Sequence, residues 1–282
     1  MLIQRDFSCY RRPVSCILFL MLFSHSLTTM QAQEIPEGLR LPKHGNVYVV
    51  AHRGAHDGIP ENTLAAYRRA IDLECDFVEI DVRTTKDNHL VSIHDASIDR
   101  YTIDGSKGVV AEMTLAQLQT VDVGSRVDPK WKEERVPTVD AILRLCNGRI
   151  GIYLDVKASS IESLHRLVRE HEMDSDTLWY ISQAKVQELR DRSTRCWPMP
   201  DPGPEIFLAS LLKEQKPKTV ASAAKFFSST FAEACHQTGA IVIVDENGRD
   251  SWNKLLADGA DGIQTDSPAE LISYLKNRNR KK

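Results

Sequence analysis

The stretch HRGAHDGIPENTLAAYRRAIDLECDFVEIDVRTTKDNHLVSIHD, residues 52–95, decides the fold. It follows the apolar run NVYVVA (46–51). Its PENTLAAYRRAIDLE segment places Leu64, Tyr67 and Ile71 at helical spacing behind an Asn62/Thr63 cap signal. Two β-branched runs, DFVEIDV (76–82) and HLVSIH (89–94), come next. Strand, helix and strand in so short a span are the mark of a βαβ unit and a parallel sheet. The same alternation continues to the C-terminus. Further strands are predicted at 149–156, 177–182, 205–210, 240–245 and 262–266, with helices in SIESLHRLVREHE and SWNKLLADG between them. Eight strands alternating with helices in about 250 residues predict an α/β fold, a (β/α)8 TIM barrel.

Two segments interrupt the rhythm. After the third strand, residues 95–138 contain turn signals, a short helix around Leu115 to Val121 and a charged cluster near Lys130, which predicts a small cap inserted over the C-terminal mouth of the barrel. TRCWPMPDPGPE (194–205) is rich in Pro and Gly and reads as a loop.

At the N-terminus Arg5, Arg11 and Arg12 precede the apolar run CILFLMLF (16–23) and a small, polar stretch. This predicts a signal peptide over 1–32, cleaved near Ala32, and an exported (periplasmic or extracellular) mature domain at 33–282 with no stable membrane anchor. The run is too short to span a bilayer as a helix, which takes about 20 residues. The whole chain of 282 residues has 36 basic and 39 acidic side chains and a net charge of −3. Removing three arginines and Asp6 with the leader leaves −5. Such a balance argues against nucleic acid as a partner and requires any phosphate chemistry to come from a local site.

Cys75, Cys146, Cys196 and Cys235 remain in the mature chain. Export permits disulfides among them, buried free thiols are the alternative, and the absence of a CxxC argues against redox and zinc-cluster roles.

In barrels of this kind the chemistry gathers where strands end. The first strand ends in His52 and Arg53, the second carries Glu79 and Asp81, the third ends in His94, and the fourth carries Asp155 and Lys157. Residues two apart on a strand share a side, so Glu79 and Asp81 face one cavity, as do Asp155 and Lys157. Three carboxylates in one place repel unless a cation joins them, and all-oxygen ligation favours Mg2+ or Ca2+. A plain ion pair between Glu79 and Lys157 is the bland alternative, and it leaves Asp81 and Asp155 without a partner. With a divalent ion, Arg53 and Lys157, the pocket carries a formal charge of about +1, which a phosphodiester monoanion neutralises. His52 and His94 then supply acid and base, because imidazole titrates near working pH. His44, His56, His89, His165, His171 and His236 read as surface or packing residues.

The quoted stretch, with its HRG, PENT, ExD and HD elements, resembles the glycerophosphodiester phosphodiesterase family. The resemblance extends through YLDVK and GADGIQTDSPAEL to nearly the whole mature chain. It implies a (β/α)8 barrel with a small insertion, and metal-dependent hydrolysis of deacylated phospholipids to glycerol 3-phosphate and an alcohol. It implies His52 and His94 as the acid/base pair, Arg53 and Lys157 as phosphate ligands, and Glu79, Asp81 and Asp155 as ligands of Ca2+ or Mg2+. Glu61 and Asn62 read either as a helix start or as outer partners of the site. Two departures stand out: Asp155 replaces the family's usual Glu, and IVIVDENG (241–248) puts Val242 and Asp245 where an aromatic and an Asn are usual. The alternative activity is phospholipase D-like cleavage of lysophospholipids, as in related two-histidine barrels.

Overall fold

The computed structural model describes residues 34–280, so the expected leader lies outside the described residues. The strands are β1 (Tyr48–Ala51), β2 (Phe77–Thr84), β3 (Leu90–Ser92), β4 (Gly151–Ala158), β5 (Thr177–Tyr180), β6 (Trp197–Pro198), β7 (Thr219–Ala223), β8 (Ile241–Asp245) and β9 (Gly262–Thr265). Between and after them run α1 (Leu64–Asp72), α2 (Leu115–Leu118), α3 (Val139–Cys146), α4 (Ile161–Glu170), α5 (Gln183–Arg192), α6 (Leu208–Gln215), α7 (Ser229–Gln237), α8 (Trp252–Ala257) and α9 (Pro268–Asn279). The sheet order is β6-β5-β4-β2-β1-β9-β8-β7, all parallel, with β3 antiparallel on β2 and off that path. Side-chain and backbone bonds from β7 to the β6 segment bridge the remaining gap: Ala221 N donates to the Pro200 carbonyl at 3.1 Å and Thr219 Oγ1 to that of Pro198 at 3.0 Å. The result is a nearly closed eight-stranded (β/α) barrel, as expected from the sequence.

The expected strand count is right, but two of its members differ. HLVSIH (89–94) forms β3, which pairs antiparallel outside the barrel because the short turn at Asn88 sends the chain straight back along β2. EIFLAS (205–210) is a helical entry. Leu208, Leu211 and Leu212 are buried at helical spacing while Ile206 and Phe207 face solvent. The places are taken by TVASA (219–223), whose small residues hide its strand character, and by Trp197–Pro198 within the segment read as a loop. Proline is tolerated there because Pro198 and Pro200 need only offer carbonyls to the β7 side.

Three cores result. Alternating strand positions (Val49, Ala51, Val78, Ile80, Leu154 and Val242 among them) face the helices. The inward set, including Tyr48, Val50, Phe77, Tyr153, Leu178, Met199 and Ile243, fills the barrel floor. The cap has its own apolar core, built on Ile93, Ile98, Tyr101, Val110, Leu118 and Val123. Its helix is shorter than expected, Leu115–Leu118, and starts at a capping box between Thr114 and Gln117. Among the described residues no helix is long and apolar enough to cross a membrane.

Candidate active site

Above the apolar floor the inward positions of β2 and β4 turn polar. Register pairs Asp81 with Asp155 and Glu79 with Tyr153, which brings Glu79, Asp81 and Asp155 together: ligand oxygens of all three lie within 4.8 Å of one another. Glu79 and Asp81 are 2% and 1% exposed. Burial, with the nearby charges of Asp81 and Asp155, pushes the Glu79 carboxyl well above the usual carboxylate range. Burial also raises Asp155, although Lys157 opposes it.

Lys157 Nζ sits 2.6 Å from Asp155 Oδ2 and 3.3 Å from Asp81 Oδ1, so the lysine pairs with the two aspartates and leaves Glu79 to the Arg53 backbone N–H, 2.7 Å away. Arg53 adopts φ 53°, a left-handed conformation that turns this N–H inward. Its guanidinium donates to Glu61 Oε1 at 3.1 Å, and its Nε lies 3.6 Å from Asp81 Oδ2.

Of the two readings of Asn62, helix cap or outer partner of the site, the structure shows the second. Asn62 donates to Asp81 Oδ2 at 2.7 Å, and its own Oδ1 accepts from Tyr67 Oη and Ser92 Oγ, each at 2.9 Å. Thr63 caps α1. Glu61 accepts from Arg100 of the cap at 2.6 Å as well as from Arg53, so the PENT turn ties barrel to cap.

His52 and His94 line one cavity of about 260 Å3 together with Arg53, Tyr153, Asp155, Lys157, Tyr180, Asp201, Asp245 and Gln264. Each has Nδ1 on a carboxylate at 2.7 Å: His52 on Asp266, His94 on Asp95. Asp95 is held in turn by Arg100 Nε at 2.6 Å. His56, expected to be a bystander, shares Asp266 with His52 through an Nε2 contact of 3.1 Å. Hydrogen bonds from His52 and His56 hold Asp266 far below the ordinary carboxylate range. Its side chain is 61% exposed, so solvent screens the pair and its value is orientation rather than stability. No signal within the first strand could reveal Asp266, which arrives from β9 at the far end of the chain.

All seven residues predicted for the site therefore meet at the C-terminal mouth. The sequence reading missed their holders: Asp266, Asp95, Arg100, Tyr67 and Ser92. Asp95 adjoins His94 and Arg100 lies five residues on, a legible spacing; the others come together only through packing.

A family model described as the glycerophosphoryl diester phosphodiesterase family matches residues 52–197. The chain belongs to this family. A glycerophosphodiester phosphodiesterase of Caldanaerobacter subterraneus subsp. tengcongensis is 29% identical over 247 residues, 81% of this chain and 97% of that one. The Bacillus subtilis protein YhdW is 43% identical over 111 residues, so this chain spans only 45% of that relative's length. Among solved structures, a glycerophosphodiester phosphodiesterase of Agrobacterium tumefaciens superposes with a TM-score of 0.68 at 26% identity, covering 80% of this chain and 99% of that one. An Oleispira antarctica phosphodiesterase, solved with the product sn-glycerol 3-phosphate, superposes at 0.73 with 23% identity and coverage of 82% and 96%, a likeness of fold.

Proposed function

We propose that this member of the family hydrolyses glycerophosphodiesters to sn-glycerol 3-phosphate and an alcohol, with His52 and His94 as its acid/base pair. The observation that carries the reading is the pair of histidines in one cavity, each with Nδ1 on a carboxylate. That arrangement commits Nδ1–H to the carboxylate and leaves Nε2 to exchange protons with substrate. The product bound to the Oleispira antarctica relative is the one this reaction releases.

The carboxylate trio fits a divalent cation. Glu79, Asp81 and Asp155 bring ligand oxygens within 4.8 Å, and buried Asp81 Oδ1 has no hydrogen-bond partner, with only the Lys157 ammonium nearby. These three residues would hold Ca2+ or Mg2+, which when bound draws charge from a phosphate oxygen as a Lewis acid. Arg53 and Lys157 bind the other phosphate oxygens and orient the diester. One imidazole takes a proton from the attacking water as the new O–P bond forms. The other gives its proton to the alkoxide as the old P–O bond breaks, so that water is divided between the two products. Asp155, one methylene shorter than glutamate, works here with Lys157 at 2.6 Å, close enough to set its rotamer.

The leader at 1–32 completes the proposal, placing the mature enzyme outside the cytoplasm; N-terminal sequencing of the exported protein tests it. The deciding experiment incubates the purified mature protein with glycerophosphocholine, glycerophosphoethanolamine and glycerophosphoglycerol, with and without EDTA, and assays glycerol 3-phosphate. Product that disappears with EDTA and returns with Ca2+ or Mg2+ is expected. No product from any of the three, with metal restored, overturns the reading.

A further inference from the structure

The cavity has two unlike walls. On the side of β1, β2 and β4, Arg53 and Lys157 stand over the carboxylate trio. The opposite side, from β5 round to β9, presents Tyr180, Asp201, Ser222, Asp245 and Gln264, and neither lysine nor arginine. Asp201 accepts from Tyr180 Oη at 3.2 Å and from the Gly203 backbone N–H at 2.6 Å. The Asp245 side chain has Gln264 Nε2 at 3.3 Å. Neither carboxylate forms an ion pair with a lysine or arginine among the described residues; Asp201 has only neutral donors, and the charges that reach Asp245 are those of His52 and Arg53 across the cavity.

A second observation is independent of that charge. Gln264 is only 7% exposed, and its buried Oε1 has no donor. A carboxylate can only accept, so the amide must turn its nitrogen to Asp245 and its oxygen elsewhere. Buried amide oxygens are normally satisfied; this one is closed to solvent in a side chain that lines the cavity, and a turn of the amide toward the cavity offers it a ligand's N–H or O–H.

We propose that this wall is the subsite for the leaving alcohol and that it selects an alcohol bearing a primary ammonium group. The proposal rests on the glycerophosphodiester reading above and supplies its substrate class. A zwitterionic diester matches both walls at once: phosphate meets Arg53 and Lys157, ammonium meets Asp201 and Asp245. The ammonium N–H groups also supply the donor that Gln264 lacks, and the Tyr180 ring, with Tyr153 at 6.0 Å between centroids, adds an electron-rich face. A quaternary ammonium brings the charge without the N–H. An uncharged alcohol brings neither, and leaves the two carboxylates without a cation.

The rival occupant of the wall is the substrate's own glycerol, whose hydroxyls are common to every member of the class. Rates on three glycerophosphodiesters separate the two. Wild-type kcat/KM for glycerophosphoethanolamine should exceed that for glycerophosphoglycerol by about tenfold or more, with glycerophosphocholine between them. Asp201→Asn and Asp245→Asn should each shrink the ethanolamine-to-glycerol ratio several-fold, and Gln264→Leu the ethanolamine-to-choline ratio. Each ratio is taken within one preparation, so a loss of folded protein cancels. Equal wild-type rates on the ethanolamine and glycerol diesters overturn the proposal, as do variants that slow all three in proportion, which would give the wall to glycerol. Equal rates on the ethanolamine and choline diesters overturn the N–H assignment to Gln264. Inactivity on all three overturns the hydrolase reading instead.

Discussion

Both cavity histidines have Nδ1 occupied by a carboxylate, and this fixes what each can do: a ring so held presents one nitrogen, in one tautomer, to the substrate. On the proposed mechanism His52→Ala and His94→Ala each lower kcat by about 10²–10⁴-fold, with the circular dichroism spectrum unchanged; rates near wild type would remove them from the chemistry. Asp266→Ala, which takes away the carboxylate beneath His52, should lower kcat by at least about tenfold with little change in KM. The thiols give a residue-scale prediction of a different kind. Cys75, Cys146, Cys196 and Cys235 are free and buried, and burial pushes each thiol up to about 12. Thiolate is the reactive form, so a thiol reagent should label none of the four in the folded protein and all four after denaturation. Two fast-reacting equivalents, or labelling that needs a reductant first, would contradict this.

At the scale of elements, the turn between β1 and α1 does the most. Gly54 sits at φ 86°, and a Cβ there would lie 2.7 Å from Ala66 Cβ and 2.9 Å from its backbone carbon. Gly54→Ala is therefore expected to cost about 2–4 kcal/mol, read as a lower urea midpoint, through left-handed strain and overpacking against α1. The same turn carries Glu61. Burial raises its carboxyl, but the Arg100 hydrogen bond and the Arg53 charge outweigh burial and leave it below its ordinary value. A depressed carboxylate stabilises the fold above the unfolded-state range and loses that contribution as pH falls through its folded value. Glu61→Gln should thus destabilise by about 1–3 kcal/mol at neutral pH, and the gap from wild type should close below about pH 4. A gap of constant size across that range would show that Glu61 does not tie cap to barrel through its charge.

For the whole molecule, the proposed metal site predicts that a cation relieves the repulsion within the carboxylate trio, so removal of metal should lower the melting temperature as well as abolish activity. At a concentration one hundred times its Kd, a divalent ion adds about 2.7 kcal/mol to stability. An EDTA-treated sample that melts with the Ca2+- or Mg2+-loaded one would show that no such ion is bound.

Much of this architecture is legible along the chain. Helical spacing behind Thr63, β-branched runs and the period-two placing of Glu79 with Asp81 and of Asp155 with Lys157 depend on near neighbours, and local sterics and alternation suffice to read them. That is why the barrel class is legible in the sequence, and why the seven residues proposed for the site can be picked out along the chain without reference to their proximity in space. Other features depend on partners far away. Whether HLVSIH joins the barrel turns on how it pairs with β2, and Trp197–Pro198 becomes a strand only because β5 and β7 stand on either side of it. Asp266 reaches His52 across more than two hundred positions, and Gln264 meets Asp245 from the adjoining strand. The sequence by itself determined the fold class and, through strand periodicity, the gathering of the carboxylates with Lys157 at the mouth; His94 joins them because β3 turns back antiparallel along β2. Only the tertiary structure decided what holds those side chains and how the two walls of the cavity differ, because hydrogen bonds and charge are set by proximity in space, which closing the barrel creates.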